Sequence, residues 1–189
     1  LIAYINQRSN SPLSVSDVAI LQEVMLFKRY KKKQFLLQEG DVCKNLCFIL
    51  KGATRQYSVD EKGNEHIITL CTENWWTGDR ESYFRELPSV YNVDAWEDTE
   101  VLMLPKAQLN HVSTIPAFAQ MRINIDQNHS IAAQKRVLSS ISHPAEKRYE
   151  ELLKLYPEFL QRFPQHIVAS YLGVTKETLS RIRSQAAKK

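Results

Sequence analysis

The chain has 189 residues, 43% hydrophobic and 24% charged, enough apolar material for a buried core and too little charge for a disordered chain. No apolar run approaches the roughly 18 residues of a membrane helix and no stretch has the layout of a secretory signal, so a cytoplasmic protein is expected. The net charge of +4 is unevenly placed: from Arg162 onward six basic residues face one acid, Glu177, a local +5 that leaves −1 for the rest. A basic tail on a near-neutral body is the footprint of a protein that meets a polyanion.

The sequence opens on Leu1 rather than Met, so a few residues are expected to precede it. In residues 1–27, Ser14 and Ser16-Asp17 stand as caps before Val18, Leu21, Val24 and Met25, which predicts one or two short helices. From Tyr30 to Leu104 the pattern changes to short β-prone runs, Gln34–Leu37, Leu46–Leu50, Thr54–Val59, His66–Leu70, Asn92–Ala95 and Glu100–Leu104. They are punctuated by Glu39-Gly40-Asp41, Lys51-Gly52 and Glu61-Lys62-Gly63-Asn64, the last closing a hairpin. Strands at this spacing predict an antiparallel barrel or jelly roll.

After Pro105 the β signal ends. Pro116 fits the start of a helix, and 117–141 lacks Gly and Pro, which predicts a helix of about seven turns. Its apolar residues Phe118, Met121, Ile125, Ala132, Leu138 and Ile141 keep partly to one stripe, interrupted by Asn128, that would face the barrel or a second subunit. A further helix runs from Pro144 to about Leu155, ended by Pro157.

The segment from Gln165 to Ile182 carries the strongest functional signal. Ala169 permits a close helix crossing, Gly173 a positive-φ turn, and Val168, Leu172, Val174, Leu179 and Ile182 a small core between two helices. Thr175 is placed to cap the second helix, with Glu177 in its first turn. That helix then presents Lys176, Glu177, Thr178, Ser180, Arg181 and Arg183 outward, with Gln165 at the start of the first helix. Arginine and lysine pair with guanine edges, glutamate accepts from cytosine, and hydroxyls bind phosphate. An ordinary helical hairpin with a solvated face is the alternative, against which stands the coincidence of small, glycine and apolar residues at the required offsets in the one basic region.

Three cysteines, Cys43, Cys47 and Cys71, make neither a disulfide framework nor the four thiolates usual for an iron–sulfur cluster, and inert reduced thiols are expected. Five histidines are scattered singly, and no nucleophile elbow, P-loop or dinucleotide fingerprint occurs, so an enzyme is not expected. Trp75, Trp76 and Trp96, with Tyr83, Phe84 and Tyr91, would either fill the barrel or line a pocket for an apolar effector; the filled barrel is the expectation.

Together these features resemble the Crp/Fnr superfamily, and the stretch Phe163 to Arg181 looks like the group found in Bacteroidetes. The resemblance covers nearly the whole chain. It implies an α+β architecture: a cyclic-nucleotide-binding-like sensor over 1–116, a long dimerisation helix over 117–142, and a helix-turn-helix domain over 143–189. The family's Arg-Glu-x-x-x-Arg recognition pattern becomes Lys176-Glu177-Thr178-Leu179-Ser180-Arg181 here, with lysine lacking the bidentate fork. The effector site would fall on Gly78, Asp79, Arg80, Ser82, Ser89, Val90 and Tyr91. The family's Gly-Glu pair reads Gly78-Asp79, and the phosphate-binding arginine falls on Pro88-Ser89-Val90, where no basic residue stands. A small-molecule effector is thus implied, and the missing guanidinium argues against cyclic AMP. Neither Arg80 nor Arg85 is expected to replace it; both read as surface residues. The implied partners are double-stranded DNA, a second copy of the chain and RNA polymerase, with no membrane. Only Pro157–Pro164 separates the last two helical segments, leaving no room for a hairpin wing, and Lys188 and Lys189 stand as replacement phosphate contacts. The rival reading is a ligand-binding or interaction module with a non-functional helix-turn-helix, which would be expected to lose the basic face that 176–183 keeps.

Overall fold

Ser14 opens the second of two N-terminal helices, α1 (Ile2–Arg8) and α2 (Val15–Val24), through a reciprocal capping box with Asp17, which satisfies two of the backbone N–H groups a helix start leaves free. The computed structural model describes residues 1–186. Eight strands follow: β1 (Leu26–Tyr30), β2 (Phe35–Leu37), β3 (Asn45–Lys51), β4 (Thr54–Val59), β5 (Glu65–Cys71), β6 (Trp76–Thr77), β7 (Asn92–Ala95) and β8 (Thr99–Pro105). They form two four-stranded antiparallel sheets, in the orders β1-β8-β3-β6 and β2-β7-β4-β5. Between the sheets lie Tyr30, Cys47, Ile49, Cys71, Ala95 and Val101, the alternate positions that a pleated strand points to one side. At the Lys51-Gly52 turn, Gly52 has φ +101°, and a Cβ there would meet the Asp98 carbonyl at 2.7 Å, so only glycine fits.

A short helix, α3 (Arg80–Arg85), interrupts the strands after β6. After β8, a 3₁₀ turn (Lys106–Gln108) leads into α4 (Leu109–Ser113) and then the 27-residue α5 (Pro116–Ser142), with Pro116 at its start. The first half of α5 buries Ala117, Phe118, Met121 and Ile125 with Ile5, Leu21, Leu104 and Val112 in a second core, beneath the helices. The partial stripe expected along α5 resolves into two faces. Phe118, Met121 and Ile125 point into the protein, whereas Leu138 and Ile141, with Ile123 and Ile131, are exposed on the opposite side. Helix periodicity explains the split: at about 100° per residue, positions 118 and 125 fall on nearly the same side, while 138 and 141 fall roughly 200° and 140° round the axis from 118.

Helices α6 (Ala145–Leu155), α7 (Phe159–Arg162), α8 (Gln165–Tyr171) and α9 (Lys176–Ala186) complete the chain. Their core of Tyr149, Leu152, Phe159, Phe163, Ile167, Val168, Leu179 and Ile182 is continuous with Tyr57, Ile67 and Leu70 of the β4–β5 sheet. The C-terminal helices are therefore packed onto the strands as well as onto each other.

Candidate nucleic-acid interface and effector cassette

Helices α8 and α9 form the hairpin that the sequence spacing predicts. Gly173 has φ +66°, and the Val174 amide donates to the Ala169 carbonyl at 3.0 Å across the turn. Thr175 caps α9, its Oγ1 accepting from the Thr178 amide at 3.2 Å. Leu179 and Ile182, 0% and 3% exposed, anchor the inner face. On the outer face, Lys176, Glu177, Ser180 and Arg181 line a shallow groove with Gln165 and Ser184. Arg183 is exposed beyond it, while Thr175 and Thr178 are tied up in the cap. Among the described residues Lys176, Arg181 and Arg183 make no ion pair. Lys188 and Lys189 lie outside the described residues.

The opposite side of this hairpin is seated on the edge strand β5. The Ser170 hydroxyl donates to the Glu65 carbonyl at 3.1 Å and accepts the Ile67 amide at 3.0 Å, so one side chain satisfies a donor and an acceptor of a free sheet edge. Arg136 of α5 donates to the Ile68 carbonyl at 2.6 Å and lies over the Tyr171 ring. Arg162 grips Glu73 and Glu97 together, and its carbonyl accepts the Trp96 indole N–H at 3.0 Å. Phe159, 0% exposed, sits among Trp75, Tyr156, Phe163 and Tyr171, with ring centroids 4.9–6.2 Å away. Arg55 of β4 is 9% exposed and remains cationic: burial opposes the charge, but hydrogen bonds to Asp94 and Glu65 outweigh it. Its guanidinium lies 4.2 Å from the Tyr57 ring centre and 5.4 Å from that of Trp96.

These contacts divide the aromatic residues expected to fill the barrel, and only Trp75 of the three tryptophans packs on the core between the sheets as well. Trp75 and Trp96 pack against the C-terminal helices, while Trp76 packs on Phe48 and Phe118. Ser170, Arg55 and the gripping role of Arg162 carry no signal in the sequence, because each depends on a partner remote along the chain.

The residues expected at an effector site divide in two. Asp79, 4% exposed, caps α3 by accepting the Ser82 amide at 3.2 Å, and accepts the Ser89 hydroxyl at 2.7 Å. Ser89 Oγ also accepts the Tyr91 amide, and Ser82 Oγ accepts the Cys43 amide. Gly78, with φ +136°, makes the bend into this knot. Arg80 instead pairs with Asp126 of α5, Arg85 pairs with Glu81 on the surface, and Val90 is 61% exposed. Asp79 and Ser89 thus satisfy each other, and among the described residues no cation pairs with Asp79 in the place of a phosphate-binding arginine. Arg80, expected at the surface, is half-buried at a helix junction.

The three thiols are free and buried, and burial pushes those of Cys47 and Cys71 up to about 12. Among the described residues no group of three or more His, Cys, Asp or Glu could hold a metal ion, and no helix is long and apolar enough to cross a membrane.

Comparison with known proteins agrees with this architecture. Residues 27–114 match the family model of the cyclic nucleotide-binding domain. The chain is 26% identical to the fumarate and nitrate reduction regulatory protein of Vibrio cholerae over 90% of its own length and 72% of that protein's. It is 24% identical to the transcriptional activator protein Anr of Pseudomonas aeruginosa, over 90% of this chain and 74% of the relative. In structure it is similar to a CooA mutant from Carboxydothermus hydrogenoformans, with a TM-score of 0.72, 16% identity, and 99% and 84% of the two chains covered. Residues 27–114 thus match a cyclic nucleotide-binding domain, and over most of its length the chain is similar to transcription regulators of the Crp/Fnr type.

Proposed function

We propose that the chain acts as a cytoplasmic homodimer that binds operator DNA sequence-specifically through α9, without cyclic AMP, and has RNA polymerase as a further partner. The observation that carries this reading is the outer face of α9. Lys176, Arg181 and Arg183 are exposed and unpaired among the described residues, on a helix whose other side is buried. Cations left without internal partners are free to exchange counterions for phosphates. Glu177 and Arg181, one turn apart, are positioned to read base edges in a major groove, and Lys176 and Ser180 to contact the backbone.

The dimer is supported by the outward face of α5. Ile131, Leu138 and Ile141, 49%, 62% and 80% exposed, fall with Gln134 at alternating spacings of three and four, the seam of a two-helix coiled coil. A twofold through that seam would present two α9 helices to half-sites roughly 34–36 Å apart. Independence from cyclic AMP rests on the mutual satisfaction of Asp79 and Ser89 and on the lack of an arginine at 88–90.

The test is selection of random duplex DNA by the purified chain at moderate salt with no added ligand. Enrichment of a palindrome is the expected result. No enrichment, with or without cyclic AMP, would favour the reading of a sensor or interaction module whose helix-turn-helix is silent.

A further inference from the structure

The near-neutral charge of the chain ahead of its basic tail conceals a dense run of cations around the connection from β1 to β2. Lys28, Arg29, Lys31, Lys32 and Lys33 fall together there, and all five are exposed. The neighbouring carboxylates are already engaged: Arg29 pairs with Glu100, Lys31 with Asp98, and Arg162 holds Glu97. Lys28, Lys32 and Lys33 make no ion pair among the described residues. The turn itself is closely tied. Asp98 also accepts the Lys32 amide at 3.0 Å, and the Lys33 amide donates to the Ala95 carbonyl at 2.7 Å. Lys33 has φ +71°, where glycine would be unstrained and a side chain is not. A turn that only reversed the chain would be more stable with glycine there, and an outlier of this kind points to a role for the side chain.

Position gives the cluster its partner. Lys32 Nζ lies 5.7 Å from the centre of the Trp96 ring, whose indole N–H donates to the Arg162 carbonyl at 3.0 Å. A few residues further on, Gln165 lines the groove of α9. At about 3.6 Å per residue these links end to end span roughly 25 Å at most, less than one turn of duplex DNA. The sheet sets the side. In the order β2-β7-β4-β5, the β5 edge is tied to α5 through Arg136, and β2 is the opposite edge, roughly 14 Å further from the proposed seam. The cations therefore stand on the flank away from the twofold, where a duplex seated on two α9 helices continues past each half-site.

We propose that the β1–β2 turn is a second nucleic-acid site, one that takes backbone phosphates of the duplex flanking the half-site. The inference rests on the reading of α9 as the DNA-binding helix. Unpaired lysines on flexible stems exchange counterions for phosphates without reading sequence, so the site adds affinity and salt dependence but no base preference. Lysines also guard edge strands against pairing with other chains. That role falls to Lys28 and Arg29 on β1, whereas Lys31, Lys32 and Lys33 lie past its end, in the turn.

The test compares two duplexes that share the palindrome enriched by selection. One ends at the borders of the palindrome, about 20 base pairs, and the other carries about 12 further base pairs of arbitrary sequence on each side. Dissociation constants are measured by fluorescence anisotropy at several salt concentrations. The unaltered chain is expected to bind the longer duplex about tenfold or more tighter, with a salt slope steeper by about three to four, because Lys32 and Lys33 of both subunits each meet a phosphate. Lys32→Gln combined with Lys33→Gln should abolish that advantage yet bind the short duplex like the parent, which also checks that it is folded. Lys32→Arg combined with Lys33→Arg should keep the advantage. Equal binding of the two duplexes by the parent, an advantage that survives in the glutamine variant, or an equal loss on both duplexes would each overturn the proposal. An empty selection, or a parent that binds neither duplex, would refute the reading of α9 and this site with it.

Discussion

Asp79 occupies the position at which a nucleotide ligand would be held, yet its bonds are those of a structural residue, and replacing it by alanine separates the two roles. Its carboxylate caps α3 through the Ser82 amide at 3.2 Å and accepts the Ser89 hydroxyl at 2.7 Å, at 4% exposure. Loss of a helix N-cap costs about 1 kcal/mol, and loss of a buried hydrogen bond to a charged group about 1.5–3 kcal/mol. Asp79→Ala should therefore destabilise the chain by about 3 kcal/mol, which for a protein of this size lowers Tm by roughly 6–12 °C. Asp79→Asn keeps the cap, since asparagine serves as well there, and should lose about half as much. Urea unfolding followed by tryptophan fluorescence measures both, and Trp75, Trp76 and Trp96 all sit in packed surroundings that unfolding would expose. In the same assay, cyclic AMP should leave the midpoint of the unaltered chain where it is. An Asp79→Ala variant within about 0.5 kcal/mol of the parent, or stabilisation of the parent by cyclic AMP, would refute the reasoning and return Asp79 to the ligand.

Leu138→Glu combined with Ile141→Glu places two charges on the exposed seam of α5. It should leave the helical circular dichroism unchanged and yield monomers by sedimentation, with DNA affinity falling by two orders of magnitude or more because half of the contacts are lost. Arg181→Ala should weaken operator binding by about 1–3 kcal/mol and relax preference at one base position, whereas Lys176→Ala should weaken all sequences alike and lower the salt slope by about one; binding curves at several salt concentrations distinguish them. Burial would raise the Glu73 carboxyl, but hydrogen bonds from Arg162 and from the Gly52 amide prevail and hold it below its ordinary 4.5. A depressed carboxyl stabilises the folded state above its unfolded pKa and ceases to do so as pH falls through the folded one. The seating of the C-terminal helices on β5 should thus loosen as pH falls below 4.5, seen as a falling protection of the Ile67 amide relative to the intrinsic exchange rate at each pH, and Arg162→Gln should remove much of that pH dependence.

The parts legible in the sequence are those fixed by neighbours along the chain. Thr54–Val59 and Asn92–Ala95 coincide with strands of the structure because alternation and bracketing turns define them locally. The α8–α9 hairpin was equally readable, since its glycine, its capping threonine and its apolar offsets fall within eighteen residues. The strand β1 was not. Its residues Lys28 and Arg29 are exposed, Leu26 and Phe27 are half exposed, and only pairing with β8 makes the segment a strand. The two residues of β6 and the six of α3 are too few to show a period. For the effector cassette, the spacing located Asp79 and Ser89 but not the fact that they bond to each other across ten residues. The aromatic residues were visible as a group, while their division between the barrel and the C-terminal helices depends on contacts more than sixty residues apart, such as Trp96 with Arg162.

An exposed sheet edge normally invites pairing with another chain. Here the edge of β5 is covered by α8 of the same chain, and that choice has a mechanical consequence. Ser170 ties α8 to the backbone of Glu65 and Ile67, Arg162 ties α7 to Glu73 and Glu97, and the Val174–Ala169 bond ties α9 to α8. The direction in which α9 points is therefore set by the β4–β5 sheet, with the Tyr156–Phe159–Trp75 cluster filling the joint. Any reorientation of α9 against α5 has to break the Arg162 grip and part that cluster together, because packed aromatic layers shift between discrete arrangements instead of deforming smoothly. Helix α9 is held at a fixed angle by contacts on its rear, leaving on its front Lys176, Arg181 and Arg183, which are unpaired among the described residues.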